Sequence, residues 1–197
     1  MDIIFTPSMC VGIVAGLLQF LGYVLYIRGV RKLGTTPNAS SWAIWAFGGL
    51  LNLFSYNQLV GDLVKEILPF VCSLCCIGSF LFFWKRGSMR WPDKSDWAIL
   101  AVDCLITVYW FVTGSSEANL LYQVGTVISF IPICRGMLKK TDREEPLPWV
   151  VWALAYATLC LTVIMRWQKW EDLVYPGVCL VLHFITAVLA HKTKNRS

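Results

Sequence analysis

The run "FVCSLCCIG" at 70–78 sets Cys72 and Cys76 four residues apart, and "YPGVCLVLHF" at 175–184 repeats that spacing with Cys179 and His183. Side chains at i and i+4 share one face of a helix, so each pair is presented together. Three thiols and an imidazole are ligands for a soft metal such as Cu(I) or Zn²⁺. A neutral His183 can instead hydrogen-bond a polar solute. Cysteine is also a small hydrophobe common in packed interiors, so Cys72, Cys75, Cys76 and Cys179 equally read as core. These alternatives stay open, and no metal or cofactor is assigned.

Other polar side chains stand inside apolar runs: Asn52, Asp103 and Gln123. A polar group within a membrane segment is costly and marks a functional site by default. Asn52 and Gln123 are candidates for solute binding, and either could serve as an interhelical hydrogen bond. Asp103 reads as a protonatable group or a structural partner for a neighbouring helix. Substrate-binding candidates are therefore Asn52, Cys76, Gln123 and His183. No phosphate-binding loop, G-x-S-x-G or H-E-x-x-H pattern is present, and two histidines leave few centres for His-based catalysis. An enzyme is not expected.

The elements that hold these residues follow from composition. Of 197 residues, 57% are hydrophobic and 15% charged, and mean hydropathy is +0.60; a soluble domain carries about 25% charge. Runs long enough to cross a ~30 Å hydrocarbon layer as helices fall near 9–27, 41–60, 67–84, 97–113, 120–138, 148–165 and 173–190. They are apolar on every side, which predicts an all-α integral membrane protein of seven helices with no strands. No basic n-region or small-residue cleavage site accompanies the first run, so a removed signal peptide is not expected.

Fourteen of the seventeen Lys and Arg residues fall on one side of these spans, in loops 1–2, 3–4 and 5–6 and in the tail. The bias predicts an outside N-terminus and a cytoplasmic C-terminus. It accounts for the net charge of +5 by topology and attraction to anionic lipid, so a nucleic-acid partner is excluded. Trp84, Trp91, Trp97, Trp110, Trp167 and Trp170 sit near span ends, where indole rings suit the headgroup layer.

Sliding the chain against itself until Arg28 meets Arg135 also pairs Gly29 with Gly136, Trp42 with Trp149, Trp45 with Trp152 and Pro69 with Pro176, without gaps. Spans 1–3 then match spans 5–7, and span 4 reverses the chain so that both units share an orientation. This predicts parallel repeats in a 3+1+3 plan, a known transporter architecture. The boundaries are 1–95 for the first repeat, 96–116 for linker helix 4 and 117–197 for the second repeat. Pro37 and Pro148 suit helix starts, where a missing N–H costs nothing, with Asn38, Ser40 and Ser41 as caps. The tryptophan pairs read either as an inner gate or as anchors at the membrane interface.

The segments "PNASSWAIW", "EEPLPWVVW" and "FIPICRG", with the matched Pro69 and Pro176, resemble the SWEET and PQ-loop superfamily over almost the whole chain. No Pro-Gln dipeptide is present, and Leu25 occupies the position matching Pro132. The resemblance implies seven helices, an outside N-terminus and prolines that hinge helices around a central pocket. It also implies that Cys76 and His183 face that pocket from spans 3 and 7, where relatives commonly carry Asn. Gate or hinge candidates are then Pro37, Trp42, Trp45, Pro132, Pro148, Trp149 and Trp152.

The expected function is facilitative transport of a small solute by alternating access, without ATP. A sugar or a vitamin precursor is the expected class, the latter because the Pnu vitamin-precursor transporters are similarly built. The alternative is a sensor or assembly subunit on a transporter-like fold. The expected partners are a small-molecule solute, the lipid bilayer and either a protein partner or a second copy. The expected location is a bacterial inner membrane.

Overall fold

The computed structural model describes residues 6–113 and 117–194, apart from the side chains of Ser95, Asp103, Trp110, Glu117 and Ala118. The expectations for Asp103 and Trp110 fall on side chains outside that description. Among the described residues the chain forms α1 (Pro7–Lys32), α2 (Ala39–Val60), α3 (Leu63–Arg86), α4 (Lys94–Thr113), α5 (Glu117–Ser129), α6 (Ile131–Leu138), α7 (Pro146–Met165), a 3-10 turn (Trp170–Leu173) and α8 (Val174–Lys194). The β-type pairing among these residues is an isolated bridge between Asn38 and Arg90.

Short polar caps set the helix starts. Thr6 accepts from Met9 N–H at 3.3 Å, Asn38 from Ser41 N–H at 3.1 Å and Asp62 from Val64 N–H at 3.0 Å, each satisfying a free amide of the first turn. Gly61 and Gly87 end α2 and α3 in the left-handed conformation, at φ 56° and 63°. The second tryptophan segment starts differently from its sequence reading: Pro146, rather than Pro148, occupies the helix start, and Pro37 lies one residue before the Asn38 cap.

Pro132 explains the break between α5 and α6. It cannot donate to the carbonyl four residues back, and the chain turns at Phe130 before restarting with Pro132 in the first turn of α6. The matching Leu25 has an N–H, and α1 runs through it without interruption. Pro176 has a related effect near the start of α8. It leaves the Asp172 carbonyl without its helical donor, and Tyr56 Oη–H donates to that oxygen at 2.9 Å.

Polarity is arranged inside out. Leu17, Phe20, Phe70, Leu74, Leu154 and Phe184 are more than half exposed, whereas Gln19, Asn52, Lys65, Gln123 and Asp172 are buried. Among the described residues six helical segments are long and apolar enough to cross a membrane; α2 is not among them, because Ser, Asn, Gln and Tyr dilute its 22 residues. Long apolar helices with a lipid-suited exterior make this an all-α integral membrane protein. Trp84, Trp91, Trp97, Trp167 and Trp170 are exposed.

Helix α1 packs mainly against α7 and α3, α2 against α3, and α7 against α8; α4 lies on α5, which also touches α2 and α8. Close approach has a local cause in Gly29 and Gly136. A Cβ at Gly29 would meet Thr35 Oγ1 at 2.7 Å, and one at Gly136 would overlap the Asp142 carboxylate. Each glycine thus lets the loop after its helix fold back onto it. Thr35 and Asp142 also donate their backbone N–H to the carbonyls of Gly29 and Gly136, at 3.3 and 3.2 Å.

Candidate functional site

A cavity of about 560 Å³, its mouth included, opens among α1, α2, α3, α5, α7 and α8. Its lining has an internal order. Gln19 and Thr126, Tyr23 and Phe130, Trp42 and Trp149, Trp45 and Trp152, Gly49 and Tyr156, Cys72 and Cys179, and Cys76 and His183 all line it, and every one of these pairs stands in the single register that matches Arg28 with Arg135. Asn52, Tyr122 and Tyr175 complete the wall, while their register counterparts Leu159, Ala15 and Leu68 lie outside it. No Asp, Glu, Lys or Arg is among the described lining residues.

Of the candidates read from the sequence, Asn52, Cys76 and His183 line the cavity and Gln123 stands behind Asn52. Gln123 Nε2–H and Asn119 Nδ2–H donate to Asn52 Oδ1 at 3.1 and 3.3 Å. Asn119 also donates to Ser55 Oγ at 2.8 Å. This network occupies the carbonyl of Asn52 and leaves its Nδ2 amide without an acceptor among the described residues. Asn52 therefore presents donors to the cavity.

His183 presents the opposite character. Its Nδ1 is 2.7 Å from the Cys179 carbonyl, which can only accept, so Nδ1 carries the hydrogen and Nε2 of the neutral ring holds a lone pair. Rings hold the imidazole in place: Tyr156 at 4.9 Å, Phe130 at 5.2 Å, Trp149 at 5.7 Å and Trp152 at 5.8 Å between centroids. Nε2 has no partner among the described residues and is available to a solute donor.

Gln19, absent from the candidates read from the sequence, supplies a second acceptor. It is 1% exposed, and its Oε1 has no hydrogen-bond partner among the described residues. Its backbone carbonyl accepts from Trp152 Nε1–H at 3.2 Å, fixing that indole against α1. A signal for it exists in the sequence: Gln19 is an uncharged polar residue within the first apolar run, and its match in the repeat register is the polar Thr126.

The thiols are engaged with phenols. Tyr23 Oη is 2.8 Å from Cys76 Sγ and 3.3 Å from Cys72 Sγ, and Cys72 Sγ is 3.7 Å from Tyr156 Oη. Among the described residues no group of three or more His, Cys, Asp or Glu side chains is placed to hold a metal ion. The arrangement suits hydrogen bonding and packing.

Three of the four tryptophans of the paired segments are core residues, and Trp45 packs against them half-buried. Trp42, Trp149 and Trp152 are at most 3% exposed, which places their rings away from the lipid headgroups that the anchor reading requires. Trp45 Nε1–H donates to Ser129 Oγ at 2.8 Å, and its ring lies 6.0 Å from Trp149. Pro37, Pro132 and Pro148 are not in the cavity wall; they shape the backbone around it.

Both ends of the bundle are tied. At one end Thr36 N–H donates to the Arg143 carbonyl at 2.9 Å, and Arg143 N–H donates to Thr36 Oγ1 at 2.7 Å. Beside them Arg90 pairs with Asp142 at 2.5 Å, and Tyr26 Oη–H and Trp149 Nε1–H donate to Glu144 at 2.7 and 3.1 Å. Burial pushes the Glu144 carboxyl up to about 8, against the lowering effect of those two donors. Burial also raises the Asp142 carboxyl, although the Arg90 guanidinium opposes it.

At the other end Lys65 Nζ reaches Asp172 Oδ2 at 2.6 Å, both side chains fully buried. Arg166 pairs with Asp62 at 2.6 Å nearby. Comparison with family models, with curated proteins and with solved structures returns no match. The fold and site define an all-α membrane protein whose central cavity is uncharged and aromatic among the described residues.

Proposed function

We propose that this chain is a small-solute transporter of the membrane, working by alternating access around the central cavity without a cofactor or ATP. The observation that carries the reading is the cavity wall: fourteen of its seventeen residues form seven pairs in one register. A wall drawn equally from two halves is what a rocking mechanism uses, since each half moves against the other around a fixed site.

Helix bounds and contacts support the same repeat. Carried through that register, α2 falls on 146–167, against an observed α7 of Pro146–Met165. In this reading α1–α3 within 1–95 and α5–α8 within 117–197 form two three-span units, with α5 and α6 as one broken span and α4 within 96–116 as the linker. Their cross-contacts, α1 with α7 and α5 with α2, are the exchange that a two-fold axis generates. The SWEET and PQ-loop resemblance rests on this plan, with seven spans, an outside N-terminus and a cytoplasmic C-terminus in a bacterial inner membrane.

Asn52 donors, His183 Nε2 and Gln19 Oε1 bind the polar edge of the solute, and the tryptophans cover its faces. An uncharged wall suits an uncharged solute, of sugar or vitamin-precursor type. The test is uptake into liposomes carrying the purified protein, with a panel of sugars, vitamin precursors, nucleosides and amino acids. Saturable uptake that an Asn52→Ala, His183→Ala double variant loses supports the reading. Undiminished uptake in that variant rejects this pocket. Solute binding with no uptake, or a stoichiometric protein partner, assigns the fold to sensing or assembly instead.

A further inference from the structure

Glu144 stands between two spaces. It lines a cleft of about 540 Å³, mouth included, together with Lys140, Asp142, Arg143 and Lys194. Its two hydrogen-bond donors lead the other way. Trp149 lines the central cavity, and Tyr26 accepts at 3.4 Å from Nε1–H of Trp42, which lines it too. One carboxyl therefore ties both leading tryptophans of the matched segments to a cleft at the end of the bundle.

The surrounding charges leave Glu144 without a counterion. Asp142 is paired with Arg90 at 2.5 Å and Glu145 with Lys194 of α8 at 2.6 Å. Lys140 and Arg143 line the same cleft, and Tyr26 of α1 and Cys134 of α6 are further titratable groups around it. No cation pairs with Glu144 among the described residues. Its counterpart in the repeat register is Pro37, so the feature is single rather than duplicated.

We propose that Glu144 is a proton-binding site whose occupancy holds this end of the cavity shut. With the proton bound, Oε1–H donates to Tyr26 Oη while Oε2 still accepts from Trp149, so both ties persist with no buried charge. Loss of the proton to water in the cleft leaves a buried anion with two neutral donors. Hydration of that anion is favoured, and it is gained by parting Tyr26 and Trp149.

The direction follows from linkage. Burial holds the closed-state carboxyl near 8, whereas a hydrated carboxyl titrates near 4.5. The proton therefore binds the closed arrangement more tightly, so acid closes this end and alkali opens it. The gating half of this proposal rests on the transporter reading; the proton site itself does not.

The experiment uses the full chain in lipid nanodiscs with 5-fluorotryptophan, the Trp149 resonance being assigned by its loss in Trp149→Phe. Between pH 5 and 10 that resonance should move with a midpoint near 8, and Glu144→Gln should abolish the movement. Tyr26→Phe, which removes one donor to the carboxylate, should move the midpoint upward. Acrylamide quenching of tryptophan fluorescence should rise across the same range in the parent and stay flat in Glu144→Gln. A Trp149 resonance that does not titrate, or titrates equally in Glu144→Gln, overturns the proton site. Titration without a change in quenching overturns the gate while leaving solute uptake to be judged separately.

Discussion

Lys65 and Asp172 are 107 residues apart in the chain and 2.6 Å apart in space. Thr36 and Arg143, at the other end, have the same separation and exchange two hydrogen bonds. Residues that are equivalent in two units can touch only where the axis relating those units passes between them. Under the proposed two-unit plan, these two contacts lie on the relating axis, with the matched cavity wall arranged around it.

This geometry makes a charge swap informative. Lys65→Met or Asp172→Asn alone leaves one buried charge unpaired, at an expected cost of about 3–5 kcal/mol. If the proposed repeat makes the two positions equivalent, the exchange Lys65→Asp with Asp172→Lys places each charge in the environment of the other. The double variant should recover most of the lost stability, measured by thermal unfolding in detergent. Two single losses that simply add in the swap would sink the idea of an axial pair.

The parts of this fold legible in the sequence are those with local causes. Apolar runs, caps such as Asn38 and the register linking Trp42 with Trp149 are all written within or between short segments. Cys76 and His183 stand out because cysteine and histidine are rare enough to be noticed in that register. Lys65 reads in the sequence only as a loop charge on the sparse side of the topology count. Its role depends on a partner more than a hundred positions away, which neither local pattern nor hydropathy encodes. The register applied to charges of opposite sign would expose the pair. Gln19 escapes the same comparison because its match to Thr126 preserves polarity rather than identity.

Glu144 sets the sign of a pH dependence. Its folded carboxyl lies near 8 and its unfolded value near 4.5, so the folded state binds more protons between those limits. Its contribution is fully present below about 4.5 and is lost as pH rises through about 8. Asp142, also raised by burial, acts in the same direction. Melting temperature should fall over this range in the parent, and more shallowly in Glu144→Gln. An equal slope in that variant would assign the dependence to other groups.

Pro132 gives a prediction about the backbone. Pro132→Leu supplies the N–H that Leu25 already has in α1, and α5 should then continue into α6. Amides of residues 129–134 should exchange with deuterium more slowly, by roughly tenfold for a gain of about 1.4 kcal/mol in local opening. Uptake should fall if the break at Phe130 is a hinge. Unchanged exchange would mean that packing, rather than the proline, holds the break.

Close approach at Gly22 can be tested in the same way. A Cβ there would overlap Trp152 Nε1, and a rigid indole has no short movement that relieves the overlap. Gly22→Ala should therefore displace Trp152 from the Gln19 carbonyl and destabilise the protein by about 1–3 kcal/mol. Gly78→Ala, where a Cβ meets nothing within 4 Å, is the control, and the two should differ clearly in melting temperature.

Gln19 separates the stability of the site from its use. A buried acceptor without a donor costs about 1–3 kcal/mol, while each hydrogen bond it makes returns about 1 kcal/mol. Gln19→Leu removes the unsatisfied Oε1 and forfeits the weak contact of the amide with Cys72. The empty protein should then be as stable as the parent or more so. A solute that stabilises the parent should do so less in the variant, because its donor no longer finds Oε1. Lower stability of the empty variant together with undiminished solute stabilisation would instead make Gln19 a packing residue, leaving His183 Nε2 as the acceptor on which recognition depends.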